Sequence, residues 1–418
     1  MENVLVLDNG GYNIKVGLAG GECISVFNGI ARSRDRQVFV ANEMCKCRDF
    51  TSLQFRRPVE RGHLASWELQ KTIWDWIFDN ETLLRSFDVA SSGLIYTEAP
   101  YSLPALSIHA DQIVFEEYNF NHYRRCTAAS LVPWNNTDSL FGQETSSTPS
   151  DACLVVDAGF NATNIVPVIR GNAKYSSIRR VDVAGKVLTN YLKETISFKY
   201  YNMMDETYLI NTIKEQLCYV SRDFNDDLNK WKINKHSVQK GYLLPDHKNS
   251  NFGRVLDDPY EIRRLQKEGE HQLLVLANER FSIPEALFDP READFDQAGV
   301  AEAVAQSISS TSPIIQPLLW GNIILAGGTA KLMGFSDRLE RDLRLLAPQG
   351  VTVRVATPPD PISYAWNGGS VMGTQASKAL WFLSRDEYLE SGESACLRKF
   401  GKNPGMTVES VTTNAGQD

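Results

Sequence analysis

The sequence has no apolar run long enough to cross a bilayer as a helix, which excludes a helical membrane span. It has no surplus of positive charge. Against 51 Asp and Glu stand 43 Lys and Arg, a net charge of −8, and a surface built throughout for nucleic acid is thereby excluded. Cysteine is sparse and unordered, seven residues at irregular spacing. That argues against a disulfide framework and predicts buried thiols in a reducing compartment. Cys45-Lys46-Cys47 resembles half a metal site, but no Cys-x-x-Cys and no His cluster completes it. Met1-Glu2-Asn3 runs into apolar sequence with no basic stretch or cleavage site, so no leader is expected, and the sequons at Asn135 and Asn161 carry no weight. What remains is a globular composition, 43% apolar and 22% charged over 418 residues. That length suits two ordinary domains or one bilobed molecule.

The most informative stretch is Val4-Leu5-Val6-Leu7-Asp8-Asn9-Gly10-Gly11, a short buried strand that stops at an acidic residue and a Gly-rich turn. A cousin returns as Leu154-Val155-Val156-Asp157-Ala158-Gly159. Either copy alone is equally consistent with an ordinary strand-end turn. Together they predict a duplicated fold whose halves face each other across a cleft. Glycine lets the backbone approach a ligand closely enough for its N–H groups to bind an anion. Asp8 and Asp157 would then place carboxylates on opposite walls, an arrangement suited to Mg²⁺, which keeps most of its waters.

In chain order, Lys15 lies on the return strand within reach of a phosphate, and residues 33–55 read as a small mobile insertion. Ser66 caps a helix whose Trp67, Ile73, Trp74, Ile77 and Phe78 are core rather than a base-stacking platform. Leu94 to Thr97 is a strand, Ile108 to Glu117 a helix, and Asn135 to Ser150 a long surface loop. Gly185 opens a helix bearing Val187, Leu188, Tyr191 and Leu192. A second begins at Asp205, with Leu209, Ile210, Ile213, Leu217 and Val220 on one face and Lys214 and Glu215 on its polar side. His247 to Gln272 reads as a polar insertion. Ile323 to Ala326 is a strand running into Gly327-Gly328-Thr329, and Leu339, Leu343 and Leu346 mark the next helix. Ala365 to Gly369 reads as a close-packed turn into a helix, and the tail after Phe400 as disordered. The pairs Arg56-Arg57, Arg124-Arg125 and Arg179-Arg180 read as solvated faces.

Val6-Leu7-Asp8-Asn9-Gly10, Thr97-Glu98-Ala99-Pro100, Asp182-Val183-Ala184-Gly185, Lys214 to Val220, Asn278-Glu279-Arg280-Phe281 and Leu325-Ala326-Gly327-Gly328-Thr329 together resemble the actin family, in its order, from Val4 to Phe400. The resemblance implies an α/β, actin-like bilobed fold of duplicated ribonuclease-H-like domains, each with a five-stranded sheet, holding ATP or ADP with Mg²⁺ between them. It implies a first lobe over 1–150 with a subdomain inserted at about 31–57, and a second over 151–355 with a subdomain at about 184–295. Residues 356–400 would return to the first lobe, and 401–418 would form a disordered tail. By matching positions, Asp8 and Asp157 resemble the carboxylates that orient the hydrated metal. Asn9, Gly10, Gly11, Gly159 and Asn161 resemble the phosphate turns, with Lys15 as the phosphate-contacting lysine. Gly185, Lys214, Glu215, Gly327, Gly328 and Thr329 would surround ribose and adenine.

Met204-Asp205-Glu206-Thr207, Tyr219 to Phe224, the insertion after Asp246 and the ending Cys396 to Phe400 resemble a nuclear branch of the family. Its members are subunits of ATP-dependent chromatin-remodelling machines that exchange a variant core histone. That implies a small zinc-finger subunit, a Swi/Snf-like motor and nucleosomes as partners, and a nuclear location with room for a cytoplasmic pool. The departures from actin bear on catalysis. Gly11 stands where actin has a phosphate-contacting Ser, Tyr12 where it has Gly, and Phe160-Asn161 where it has Asp-Gly. Asn164 replaces the His that aligns attacking water, and the companion Gln falls near Thr127. Leu332 replaces the tyrosine beside adenine, and Ile362 a nearby Lys. Since phosphoryl transfer to water is mainly positioning and charge stabilisation, these losses predict binding without appreciable hydrolysis. The alternative is a slow, filament-forming cytoskeletal ATPase. Arg291-Glu292-Ala293-Asp294 after Phe288-Asp289-Pro290 opposes it, because those charges stand where actin carries an apolar plug between protomers. A small-molecule kinase of the same superfold would need a further Asp base, for which no signature is present.

Overall fold

The computed structural model describes residues 3–47, 53–84, 87–142, 150–234, 236–245, 253–269, 271–375 and 378–401. Two large mixed sheets organise them. In the first, six strands run in the order Leu383–Ser384, His122–Thr127, Gly93–Glu98, Val4–Asp8, Asn13–Leu18, Ile24–Phe27. In the second, Asn172–Ala173, Thr163–Ile169, Ala152–Ala158, Ile323–Ala326 and Val355–Ala356 are neighbours, and Arg179–Val181 also pairs with Thr163–Ile169. Each sheet thus has six strands where the family resemblance implied five, because a short strand is added at the margin.

The plan is the same in both. A hairpin opens each sheet, and a parallel strand arrives later beside the hairpin's first member: Gly93–Glu98 beside Val4–Asp8, Ile323–Ala326 beside Ala152–Ala158. Register makes the duplication concrete. Asp8 lies opposite Lys15 in one hairpin, and Asp157 lies opposite Asn164 in the other. Strands covered on both faces need continuous apolar sequence, and all of Val4 to Leu7 and Ala152 to Val156 are buried.

Helices cover both sheets. Trp67–Phe78 starts where Ser66 accepts the Leu69 N–H and buries Ile73, Trp74 and Ile77. Gly185–Lys199 buries Leu188, Leu192 and Ile196; Thr207–Leu217 buries Ile210, Ile213 and Leu217. Near the end of the chain, Tyr364–Thr374 returns to the first sheet, where Trp366 Nε1 donates to the Val6 carbonyl at 3.1 Å. Ala129, Val132, Cys153, Val155, Ile324 and Ala365 form one packed cluster. It ties strands of the second sheet to the helices that join the lobes.

Several expectations need correction. Residues 33–55 are not simply a mobile insertion: Val38–Val40 and Gln54–Arg56 flank Ile30–Arg32 in a small antiparallel sheet, with Ala41–Lys46 forming a helical turn. Strands of three residues are too short to display a period, and residues 48–52 lie outside those described. The insertion 247–272 is folded where described. Arg254–Leu256 and Leu273–Leu276 flank Lys240–Leu243, and helix Pro259–Glu268 is capped by Asp258 and by Gly269 at φ +68°. Residues 246–252 and 270 lie outside the description, as do 143–149 of the expected loop and 402–418 of the expected disordered tail. The helix expected from Ile108 begins at Pro104, where proline suits the first helical position, and continues as a wider turn to Glu117. The helix expected from Asp205 runs from Thr207 to Leu217, so Val220, expected on its face, lies beyond its end. Gly368 and Gly369 sit inside helix Tyr364–Thr374 rather than in a turn before it. Leu346 is exposed, not part of the buried stripe of Leu339 and Leu343.

Candidate functional site

Asp8 ends a wholly buried strand and is itself only 6% exposed, so its charge must be answered locally. Thr97 Oγ1, on the parallel neighbour, donates to Asp8 Oδ1 at 2.7 Å and accepts the Asn9 N–H at 3.0 Å. Lys15 Nζ lies 3.2 Å from Asp8 Oδ2. Burial pulls the lysine's pKa down, but Asp8 and then Asp157 outweigh it and hold the ammonium above its ordinary value. Asn9 turns its side chain away from the cleft, accepting from Trp74 Nε1 and donating to Gln70 Oε1. It braces the turn rather than lining it with its amide.

Among the described residues Asp157 has no such paired cation. Its hairpin partner is Asn164, and burial, followed by the charge of Asp8, pushes its carboxyl from 3.8 up to about 6, with Lys15 offsetting only part. Gly327 packs against it: at φ +87°, a Cβ there would stand 3.0 Å from Asp157 Oδ1 and would strike the Ala158 carbonyl. Only glycine fits that approach.

The two Gly turns face one another. A side chain at Gly10 would strike the Asn13 carbonyl, and one at Gly11 would collide with the Asn161 amide from the opposite lobe. Tyr12 lies against Phe160 with ring centroids 4.8 Å apart. Arg57 sits over both rings at 4.4 and 5.0 Å and donates to the Gly11 and Tyr12 carbonyls. Tyr12 therefore closes the far wall against the other lobe. Arg57, read from sequence as solvated, is a desolvated cation held among rings, its pKa lowered to about 10 mainly by burial.

On the second lobe, the Gly159 carbonyl accepts from Thr329 Oγ1 at 2.7 Å and from the Gly185 N–H at 3.2 Å. Lys214 corrects the sequence reading. It is 5% exposed, and its ammonium donates to the Gly185 carbonyl, Thr189 Oγ1 and Asn211 Oδ1 at 2.8 to 3.1 Å. With all three N–H bonds used inward, it offers the cleft only its stem. Glu215 is exposed and accepts from Asn211 Nδ2 at 2.8 Å. Asn211 was missed from sequence, although it stands one turn before Lys214 and Glu215 on the same helix. Arg180 was also misread as solvated: it reaches the Arg61 carbonyl across the cleft mouth.

Every residue nominated from sequence, from Asp8 to Thr329, borders one cavity of about 340 Å³. Its chemistry fits a hydrated divalent cation with phosphates. The oxygens of Asp8 and Asp157 are hard donors, and three buried polar atoms of residues that border it, Thr127 Oγ1, Asn161 Oδ1 and Asn164 Oδ1, have no hydrogen-bond partner among the described residues. Among the described residues there is no group of three or more His, Cys, Asp or Glu side chains that could hold a metal ion.

One consequence is measurable. Between about pH 4 and pH 6 the folded chain holds a proton on Asp157 that the unfolded chain has released, so the ligand-free protein loses stability as pH rises through that window. A divalent cation needs the ionised pair and supplies the missing charge. Melting temperatures taken from about pH 4 to about pH 7 should fall with pH, and less steeply with Mg²⁺ present. Parallel curves would refute this.

Comparison with known proteins agrees with the geometry. The family profile described as Actin matches residues 1–401. Actin-like protein ARP6 of Yarrowia lipolytica is 42% identical over 411 residues, covering 98% of this chain and 100% of that protein. Actin-related protein 6 of Drosophila melanogaster is 36% identical over 93% of this chain and 97% of its own length. Actin-related protein 6 of Arabidopsis thaliana is 34% identical over 96% and 100%. With two duplicated lobes, a cleft at the paired strand ends and relatives matched end to end, the chain belongs to the actin family and is similar along its length to the actin-related protein 6 members of it.

Proposed function

We propose that this protein is a nucleotide-holding, non-hydrolysing structural subunit of a nuclear ATP-dependent chromatin-remodelling complex that exchanges a variant core histone. One observation carries the non-catalytic half of this reading. The cavity keeps its carboxylate pair and Lys15, while Asn164 stands at one water-placing position and Thr127 near the other, and their buried side-chain oxygens have no partner among the described residues. Neither an amide nor a threonine hydroxyl shuttles a proton at neutral pH, and loss of a positioned general base typically costs about 10²–10⁴ in rate. Bound ADP or ATP with Mg²⁺ would supply the counter-charge that Asp157 lacks. Asp8 and Asp157 would hold the hydrated ion, the turns at Gly10 and Gly159 would face phosphates, and Gly185, Gly327, Gly328 and Thr329 the nucleoside. Such a ligand stabilises the closed form by mass action.

The assembly role rests on likeness to the nuclear branch, and with it come the partners: a small zinc-finger subunit, a Swi/Snf-like motor and nucleosomes. The filament-forming alternative finds no support in the segment after Phe288. Arg291 is spent on Asp289 at 2.7 Å in an exposed pair, and Glu292 and Asp294 follow on a charged, solvated turn that would be costly to bury between protomers. The test is purified protein incubated with Mg-ATP under polymerising salt. The expected result is no salt-stimulated phosphate release and no sedimentable polymer. Actin-like release or a robust pellet would overturn the reading.

A further inference from the structure

The phosphate end of the cleft is narrower than two facing Gly turns would make it. Gly11 could have left space on the first lobe, but Asn161 takes that space: its amide reaches from the second turn to within collision distance of any side chain on residue 11. Behind it the lobes touch through Tyr12 and Phe160, with Arg57 over both rings. That wall separates the cavity from a second one of about 600 Å³ lying between the small sheet and the second lobe. Space is one restriction and charge is the other. Of the cations at the cavity wall, Lys15 is paired with Asp8, Lys214 is spent on three internal oxygens, and Arg180 is engaged by Asp182 and the Arg61 carbonyl. Ile362 borders the cavity as a further apolar side chain. A further phosphoryl group would bring negative charge into a buried site whose cations are already committed.

We propose that this cleft takes a nucleoside diphosphate in preference to the triphosphate. Asn161 is the residue that sets the preference, because it spans the gap the two turns would otherwise share with a further phosphoryl group. Asn161 borders the same cavity, and its buried Oδ1 has no hydrogen-bond partner among the described residues. The inference rests on the nucleotide-holding reading above.

The test uses the full chain with Mg²⁺. Fluorescent mant-ADP is displaced by ADP or by the non-hydrolysable triphosphate adenylyl imidodiphosphate. The wild type should favour the diphosphate by about tenfold or more, and Asn161→Gly should lower that ratio by about tenfold. Melting curves check that the variant folds; if it does not, Asn161→Ala and the wild-type ratio decide. Equal affinities, a triphosphate preference, or an unchanged ratio in a folded variant would overturn this proposal alone. If neither nucleotide binds, the nucleotide-holding reading falls with it.

Discussion

Asp157→Asn is expected to raise the melting temperature of the ligand-free protein while lowering its affinity for Mg-nucleotide by about 100-fold. The two effects have opposite signs because the carboxylate is an asset only when the cation is there. Without it, Asp157 is a half-buried acid beside a second acid, its pKa pushed to about 6 by desolvation and by Asp8. At neutral pH the folded state bears the cost of ionising it. Asparagine keeps the shape and removes that cost. Asp8 does not behave the same way, for it has Lys15 at 3.2 Å and the Thr97 hydroxyl at 2.7 Å. Asp8→Asn would strip a half-buried lysine of its ion-pair partner, so it should lower affinity and apo stability together. Thermal melts with and without Mg-ADP, read beside titrations of fluorescent nucleotide, separate the cases. A destabilised Asp157→Asn, or one that binds normally, would remove the carboxylate pair from the account.

The asymmetry between these acids was legible in sequence only in part. Strand–Asp–Gly stood out twice because strands buried on both faces cannot alternate, and because a turn that approaches a ligand demands glycine. The register that gives Asp8 a lysine and Asp157 an asparagine appears only once the hairpins are paired. Lys214 was misread for a physical reason: a charged residue on the polar side of a helix looks the same whether that side meets water or three buried oxygens. Arg57, Arg125 and Arg180 failed likewise, since the partners that draw them inward are carbonyls, rings and acids far away in sequence. Strands of three residues, as in the small sheet, carry no readable period. Family likeness nominated residues that border one cavity, but it did not reveal that Asn161 and Tyr12 each reach the other lobe.

The largest expected loss of stability lies away from the cleft. Arg125, side chain 3% exposed, makes a bidentate pair with Asp111 through Nε at 2.9 Å and Nη2 at 3.1 Å, and reaches Glu98 Oε1 through Nη1 at 2.9 Å. Glu98 Oε2 accepts from Ser107, so both acids depend on one guanidinium. Burial pulls the arginine's pKa down, yet Asp111 and Glu98 outweigh it and hold it well above its ordinary value. Even so paired, Asp111 is pushed by burial to about 6. Arg125→Ala would leave two buried carboxylates with no counter-charge, a change that typically costs about 3–5 kcal/mol, a large share of the roughly 5–15 kcal/mol that holds a domain folded. The loss has a pH signature. Uncompensated acids regain their protons at a higher pH when folded than when unfolded, so the variant's deficit should be largest at alkaline pH and shrink as pH falls through the raised values. Urea denaturation at several pH values measures both parts. A deficit below about 1 kcal/mol, in the range of an exposed ion pair, or one that does not change with pH, would mean that solvent reaches these groups. Glu98 also borders the cleft and follows Thr97, the residue that fixes Asp8. A folded Arg125 variant should therefore bind nucleotide more weakly than its stability alone would account for.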